Sequence, residues 1–193
     1  MADQPEGKPL GGFWSHLFRL HERGDRASLA KLRRAVAEPV NGDVFAVIGN
    51  AMPSKISGRD ISDRQIDAHL LAACLFAVHP TVSAEPAGPS LGASLRRLRG
   101  RLSVGGESLD ARFASILNSE REDLPSRFRH VIRLLASHDV PVHYPQLLTD
   151  LLKWDRDDRK VQRRWAIDYW VIREAGESDA DESMAEPAES DQA

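Results

Sequence analysis

The sequence predicts an all-α protein, a compact bundle of about eight to nine helices in two halves. Three observations support this fold class. Apolar side chains recur every three to four positions through most of the chain. Glycine and proline separate these periodic segments. One segment is apolar on all sides, which is typical of a helix inside a bundle. The predicted division is a disordered N-terminus (1–9), an N-terminal helical half (10–80), a linker loop (81–89), a C-terminal helical half with basic faces (90–173) and an acidic disordered tail (174–193).

In the N-terminal half, the first helical pattern starts at Phe13 and ends at Gly24. Asp25 is placed to cap a second helix that reaches Val36. The stretch 44–48 is short, and we expect a helical turn there.

The most apolar helix is expected from Ser62 to His79, where both sides of the helix carry leucine, alanine or valine. Cys74 lies within it and is interpreted as a small core residue. Because Cys74 is the single cysteine, an internal disulfide and a cysteine-rich zinc site are excluded.

In the C-terminal half, Ser90 or Pro89 begins a helix with four arginines within six residues. Gly105 and Gly106 end this element, and Ser108 is expected to cap the next one.

Three further helices are predicted at 126–138, 147–154 and 158–172. Two of them bury one face and expose arginines on the other. Asp168 lies close to the apolar stripe of the last helix, and we expect an intrahelical pair with Arg164, four residues earlier.

Four tryptophans could either stack on nucleic-acid bases or fill the core. For Trp14, Trp154 and Trp165 the apolar periodicity favours the core. Trp170 falls opposite the apolar stripe of its helix, so it is the candidate for a contact with another subunit.

The net charge of −3 averages two unlike regions. Residues 174–193 contain eight acidic and no basic residues, which leaves 26 basic against 21 acidic residues in the rest of the chain. Of these 26 basic residues 21 are arginine, which suits bidentate phosphate contact. Genomic base content explains the same bias equally well. The acidic tail is interpreted as a solubilising segment or as a nucleic-acid mimic that competes for the basic face.

The sequence contains no glycine-rich phosphate loop, no nucleophile elbow and no paired cysteine–histidine spacing. A metal site built from His130, His138, Asp139 and Asp150 is disfavoured, because the His138-Asp139 pair runs directly into Val140-Pro141 and cannot continue a helix. We therefore predict no catalytic residue, no metal and no cofactor. No run of about 18 apolar residues and no secretory signal is present, so a cytoplasmic setting is expected.

Several ordered segments resemble one known family. They are Arg23–Ala27, Ser90–Arg96, Arg112–Leu117, Leu134-Leu135, Val140–Tyr144, Leu148–Trp154 and Val161–Ala166. In order and spacing they resemble the CasB family, the small subunit of the type I-E CRISPR surveillance complex, Cascade. The resemblance covers roughly residues 13–172. It implies a non-catalytic subunit that works with other Cascade subunits, guide RNA and target DNA, with a second copy of itself packed head to tail, and that stabilises the R-loop.

Exposed arginines are the candidates for nucleic-acid backbone contact. They are Arg33, Arg34, Arg96, Arg97, Arg99, Arg121, Arg129, Arg133, Arg159 and Arg163. Two other interpretations stay open: a stand-alone helical protein that binds RNA or single-stranded DNA, and a helical protein–protein adaptor whose arginines form salt bridges.

Overall fold

The computed structural model describes residues 11–56, 58–83, 85 and 87–171. Within them the all-α prediction is confirmed, with nine α-helices and one two-stranded hairpin. The segments predicted to be disordered, 1–9 and 174–193, lie outside the described residues.

The helices follow one another along the chain with short connections. They are α1 Gly12–Glu22, α2 Arg26–Arg34, α3 Gly42–Ile48, α4 Asp63–Val78, α5 Leu91–Arg101, α6 Gly106–Leu117, α7 Leu124–Ser137, α8 Tyr144–Leu151 and α9 Lys160–Trp170. Three 3-10 turns cover Ala35–Ala37, Gly49–Ala51 and Arg121–Asp123. Between α3 and α4, strand β1 (Lys55–Ile56) pairs antiparallel with β2 (Arg59–Asp60).

Two of the predicted helix starts are confirmed by side-chain caps. The Asp25 carboxylate accepts a hydrogen bond from the backbone N–H of Ser28 at 3.0 Å. The Ser90 hydroxyl accepts one from the N–H of Ala93 at 3.2 Å. The predicted cap at Ser108 is wrong, because α6 begins two residues earlier. Its start follows Gly105, whose φ of 93° is a left-handed conformation that glycine adopts at little cost.

Helix α4 lies at the centre of the bundle, as its apolar surface predicts. It packs against α2, α3, α7 and α8, and Leu70, Cys74 and Phe76 are fully buried. Two hydrogen bonds hold its C-terminal end at α8 and the segment before it. The His79 ring contacts the carbonyl oxygen of Val140 at 2.9 Å, and the hydroxyl of Tyr144, the first residue of α8, donates to the His79 carbonyl at 2.9 Å. The division of the chain into two halves at 81–89 stays a prediction.

Helices α5 and α9 approach each other closely at Gly92. A Cβ atom at this position would overlap the backbone carbonyl oxygen of Trp165. Only glycine therefore permits this separation of the two helices.

The predicted pairing of Arg164 with Asp168 is wrong. The Arg164 guanidinium instead forms an ion pair with Asp150 of α8. The Asp168 carboxylate accepts a hydrogen bond from the Ser90 hydroxyl at 2.6 Å. Both contacts tie α9 to a neighbouring segment, because each side chain found a partner across the bundle rather than along its own helix.

The predicted core positions of Trp14, Trp154 and Trp165 are confirmed, since all three are buried. Trp170 remains 46% exposed, and the centre of its ring lies 5.2 Å from the ring centre of Phe113. Its exposure agrees with the position that the periodicity predicted.

Candidate nucleic-acid interface

The candidate arginines differ in how strongly the fold engages them. Four of them, on α2, α5, α7 and α9, project into solvent: Arg34, Arg97, Arg133 and Arg163. Within the described part of the chain, the first three have no hydrogen-bond or ion-pair partner. Arg163 reaches only the backbone oxygen of Asp158, at 3.5 Å. Their charges are therefore available to a ligand.

Two arginines are held by backbone carbonyls alone. The Nε of Arg33 donates to the carbonyl oxygen of Ala77, near the C-terminal end of α4, at 3.0 Å. A guanidinium at this position complements the partial negative charge of the helix end. The Nη1 of Arg96 donates to the carbonyl oxygen of Val171 at 3.0 Å. Because a carbonyl carries no net charge, both arginines are oriented without being neutralised.

Arg99 has a carboxylate partner. Its Nε and Nη2 donate to the two oxygens of Asp110 at 2.8 and 3.0 Å, and the Tyr169 hydroxyl donates to the same carboxylate at 2.5 Å. The hydrogen bonds from Arg99 and from Tyr169 lower the pKa of Asp110. Arg99 is therefore largely compensated and joins α5 to α6, which weakens its case as a phosphate contact.

Arg129 and Arg159 are constrained by the fold. Arg129 is half-buried, and its Nε has no hydrogen-bond partner among the residues the structure describes. Arg159 precedes α9 with a φ of 47°, a left-handed conformation uncommon for a residue with a side chain. Its Nη2 donates to the carbonyl oxygen of Leu117, so this arginine connects the start of α9 to the end of α6.

Arg121 lies in a cavity that is lined by four basic side chains and one acidic side chain. Its Nε donates to Asp155 at 2.6 Å, and its Nη2 donates to the carbonyl oxygen of Leu151 at 2.8 Å. Burial raises the pKa of neighbouring Asp67, and the positive charge of Arg121 opposes that rise.

We call this cavity the basic cleft. It has a volume of about 270 Å³ and lies between the start of α4, the 3-10 turn at 121–123 and the turn after α8. Its walls are Ser62, Arg64, Gln65, Arg121, Leu152, Lys153, Asp155 and Arg156. Four cations therefore face one carboxylate, which Arg121 already occupies. Arg156 also pairs with Asp158 at 3.4 Å, whereas Arg64 and Lys153 have no ion-pair partner among the described residues.

The sequence patterns did not single out Arg64, Lys153 and Arg156. These residues come from two segments about 90 positions apart, one at the start of α4 and one in the turn after α8. In the sequence, only the closeness of Lys153 and Arg156 hints at a basic site, and these two residues belong to no helical stripe. Only the packing of α8 against α4 brings them together.

The candidate arginines do not form a single patch. Arg33 contacts residue 77 of α4, whereas the basic cleft includes residue 65 of the same helix. At 1.5 Å per residue, these two points are roughly 18 Å apart along the helix axis. The positive charge is therefore spread along the length of α4 rather than concentrated at one point.

Asp150, one of the residues considered as a metal ligand, has other contacts. The buried Asp150 carboxylate accepts hydrogen bonds from Trp165 Nε1 at 2.7 Å and from Gln146 Nε2 at 2.8 Å, beside the Arg164 ion pair. The described residues contain no cluster of three or more histidine, cysteine, aspartate or glutamate side chains that could hold a metal ion. Over the same residues, no helix has the length and apolar character needed to cross a membrane.

The fold and these surfaces define a compact helical protein that carries dispersed, partly uncompensated arginines. The sequence model of the family described as CRISPR-associated protein Cse2 matches residues 28–170. The chain therefore belongs to the Cse2 family, whose solved members are also called CasB.

Relatives of known structure and sequence agree with this assignment. The chain is 28% identical over 144 residues to the CRISPR-associated protein Cse2 of Thermus thermophilus, covering 75% of this chain and 79% of the relative. The crystal structure of CasB from Thermus thermophilus is similar with a TM-score of 0.66 and 26% identity, over 82% of this chain and 95% of that one. The CasB of M. ruber gives 0.62 and 25%, over 83% and 93%.

A further structural neighbour is a chain of a CRISPR RNA-guided surveillance complex. It has a TM-score of 0.64 and 22% identity, over 81% of this chain and 92% of that one. At this identity the similarity concerns the fold.

Proposed function

We propose that the protein is the non-catalytic small subunit of a type I-E Cascade complex. In this function it binds the nucleic-acid backbone and stabilises the R-loop during RNA-guided recognition of foreign DNA. Membership of the Cse2 family supports the place in the complex. The basic cleft carries the nucleic-acid part of the proposal, because two of its four cations, Arg64 and Lys153, have no ion-pair partner among the described residues.

The proposed mechanism is phosphate neutralisation. Exchange of a DNA duplex for an RNA–DNA hybrid is nearly balanced in free energy, so modest contacts with the backbone can favour the open state. Each neutralised phosphate releases counterions, which makes the affinity fall as the salt concentration rises. Cations spaced along α4 would contact the phosphates of several successive nucleotides, whereas a single patch would contact one phosphate group.

Within this function the partners are other Cascade subunits, the guide RNA, the target DNA and a second copy of the chain. A structural neighbour that is part of a CRISPR RNA-guided surveillance complex supports the protein partners. Trp170, exposed at the end of α9, is our candidate for a contact with another subunit.

The test is to reconstitute the complex with guide RNA and to measure binding of target duplex over a range of salt concentrations. The variant Arg64→Gln/Lys153→Gln removes the two cleft cations that lack an ion-pair partner among the described residues. We expect weaker binding for all target sequences and a salt slope that is smaller by about 2. Arg26→Gln is the control for loss of an exposed cation, since the Arg26 side chain is exposed, has no hydrogen-bond or ion-pair partner among the described residues and is not among the candidates.

Unaltered affinity and slope in a fully assembled variant complex would overturn the assignment of the cleft. If the isolated chain binds RNA or single-stranded DNA equally well without the other subunits, the stand-alone interpretation replaces the Cascade one. If it joins the complex and no arginine variant changes binding of nucleic acid, the adaptor interpretation replaces it.

A further inference from the structure

The acidic segment 174–193 follows directly after a basic region of the fold. Its eight carboxylates come without any basic residue. The last described residue is Val171, at the C-terminal end of α9, so the segment begins three residues later. Helix α9 packs against α5. The last described residue before the segment therefore lies beside the helix with the densest group of arginines in the sequence.

The arginines of α5 differ in compensation. Arg99 is paired with Asp110. Arg96 contacts the carbonyl of Val171, and Arg101 contacts the carbonyl of His138 at 2.7 Å. Arg97 is exposed and has no partner among the described residues. We call Arg96, Arg97 and Arg101 the α5 arginine cluster, because none of the three has a carboxylate partner in the described chain.

The hydrogen bond between Arg96 and the Val171 carbonyl limits how far the start of the acidic segment can lie from the α5 arginine cluster. Three residues span at most about 10 Å, so residue 174 lies within that distance of the Arg96 guanidinium's contact point. Twenty residues span up to about 65 Å when fully extended, whereas the 11 residues of α5 extend over about 16 Å. The acidic segment is therefore long enough to reach every member of the cluster.

Because the acidic segment is covalently attached to the fold, its carboxylates can bind the α5 arginine cluster even when salt screens the charges. At physiological salt, charges interact mainly within about 8 Å, so the nearest uncompensated cations determine where the carboxylates settle. Covalent attachment to the fold raises the effective local concentration of the carboxylates, into roughly the millimolar range for short linkers. A free acidic peptide at micromolar concentration would not occupy the same surface.

We propose that residues 174–193 dock on the α5 arginine cluster and compete there with nucleic-acid phosphates. This inference rests on the proposed function for its second half, the competition, whereas the docking stands independently. The competitor suppresses weak, non-specific contacts of the free subunit. A backbone held in place by the assembled complex displaces it, because a continuous phosphate chain offers a higher charge density than eight spaced carboxylates.

The first experiment measures docking without nucleic acid. Burial raises the pKa of the Cys74 thiol to about 12, and the side chain is fully buried. A nitroxide label will therefore attach to an introduced cysteine, Ser183→Cys, in preference to Cys74. We expect line broadening of the α5 amide signals at low salt and its loss at about 0.5 M salt, where the screening length is only a few ångströms.

The control carries the same label but has Glu→Gln and Asp→Asn changes at all eight acidic positions of the segment. The tether length is unchanged, so only charge-driven docking differs. Equal broadening of α5 in both proteins, or none at low salt in the acidic protein, would refute the docking.

The second experiment measures competition with a double-mutant cycle. Neutralising the eight acidic residues should raise the affinity for single-stranded DNA about three- to tenfold at low salt, and little at about 0.5 M. In an Arg96→Gln/Arg97→Gln background the same neutralisation should have a much smaller effect. An undiminished effect in that background would mean that the segment acts through net charge alone, as a solubilising tail would, and would overturn the competition.

The two proposals fail in different ways. If neither the acidic nor the neutralised protein contributes to nucleic-acid binding, alone or in the complex, the proposed function fails and the label data still decide the docking. If both bind equally and α5 is not broadened, this inference fails and the proposed function stands.

Discussion

The indole Nε1 of Trp165 donates a hydrogen bond of 2.7 Å to Oδ2 of Asp150, and both side chains are almost completely buried. Gln146 and Arg164 donate to the other carboxylate oxygen. One carboxylate of α8 thus satisfies an indole, an amide and a guanidinium. This arrangement explains why an aspartate lies in an otherwise apolar helix face.

The first prediction is that Asp150→Ala destabilises the fold strongly. The change would leave a buried indole N–H without its acceptor and would remove the charge that balances Arg164. A buried donor left without its acceptor costs about 1–3 kcal/mol, and the loss of the charge-assisted hydrogen bond to Arg164, whose side chain is 46% exposed, adds to this cost. Urea unfolding measures the change in the free energy of unfolding. Asp157→Asn, at an exposed position, is the control, and a loss below about 1 kcal/mol for Asp150→Ala would contradict the structural role.

The second prediction concerns the contact of α5 with α9. Gly92→Ala should destabilise the protein by about 1–3 kcal/mol, because the added methyl group overlaps the Trp165 carbonyl and forces the helices apart. Helix propensity alone would predict the opposite, a gain of up to about 1 kcal/mol. Gly100→Ala in the same helix provides the control, since a Cβ there meets no atom within 4 Å. Thermal unfolding of the two variants should therefore shift in opposite directions.

The contrast between these two glycines shows what the sequence could predict. Both lie in the same amphipathic pattern, and the helix itself, from 91 to 101, follows from that pattern. The special requirement at Gly92 depends on Trp165, more than 70 residues away, and no local pattern carries this information. The same limit explains the mistaken pairing of Asp168 with Arg164, since an i, i+4 partner is available in the helix and a cross-bundle partner is taken instead.

Periodicity predicts the long elements well and the short ones poorly. The pattern places α4 at 62–79, and the helix covers 63–78, because its caps and apolar surface are both local signals. The hairpin of β1 and β2 escapes the pattern, since two residues per strand cannot show alternation. The basic cleft escapes it for a different reason: Arg64 and Lys153 are adjacent only in the folded protein.

The third prediction is a pH dependence that originates at Asp110. Hydrogen bonds from Arg99 and Tyr169 lower the pKa of this carboxyl in the folded state, while in the unfolded chain it is about 3.9. The resulting stabilisation is present above the unfolded pKa and is lost as the pH falls through the folded pKa. In Asp110→Asn, stability should therefore depend less on pH below about 4.

The pH prediction is checked by urea unfolding at a series of acidic pH values, together with NMR titration of the Asp110 carboxyl. Tyr169→Phe removes one of the two donors and should bring the pKa part of the way back. A wild-type Asp110 pKa at or above its ordinary value would contradict the assignment.

The last prediction separates assembly from folding at Trp170. Its ring is 46% exposed and rests on Phe113 at 5.2 Å, so Trp170→Ala should reduce the stability of the isolated chain only modestly, by about 1 kcal/mol. If the exposed part of the ring enters a subunit interface, the same change should reduce incorporation into the reconstituted complex at least about tenfold, since a buried interface tryptophan commonly contributes about 2 kcal/mol or more. Native mass spectrometry of the complex at limiting subunit concentration measures this incorporation.

Val104→Ala is the control for Trp170→Ala. It truncates an apolar side chain that is 86% exposed, and it should change neither the stability nor the incorporation. Because folding and incorporation are measured on the same variants, a large loss of stability together with full incorporation would assign Trp170 to the fold, and unchanged incorporation of a stable variant would remove it from the interface.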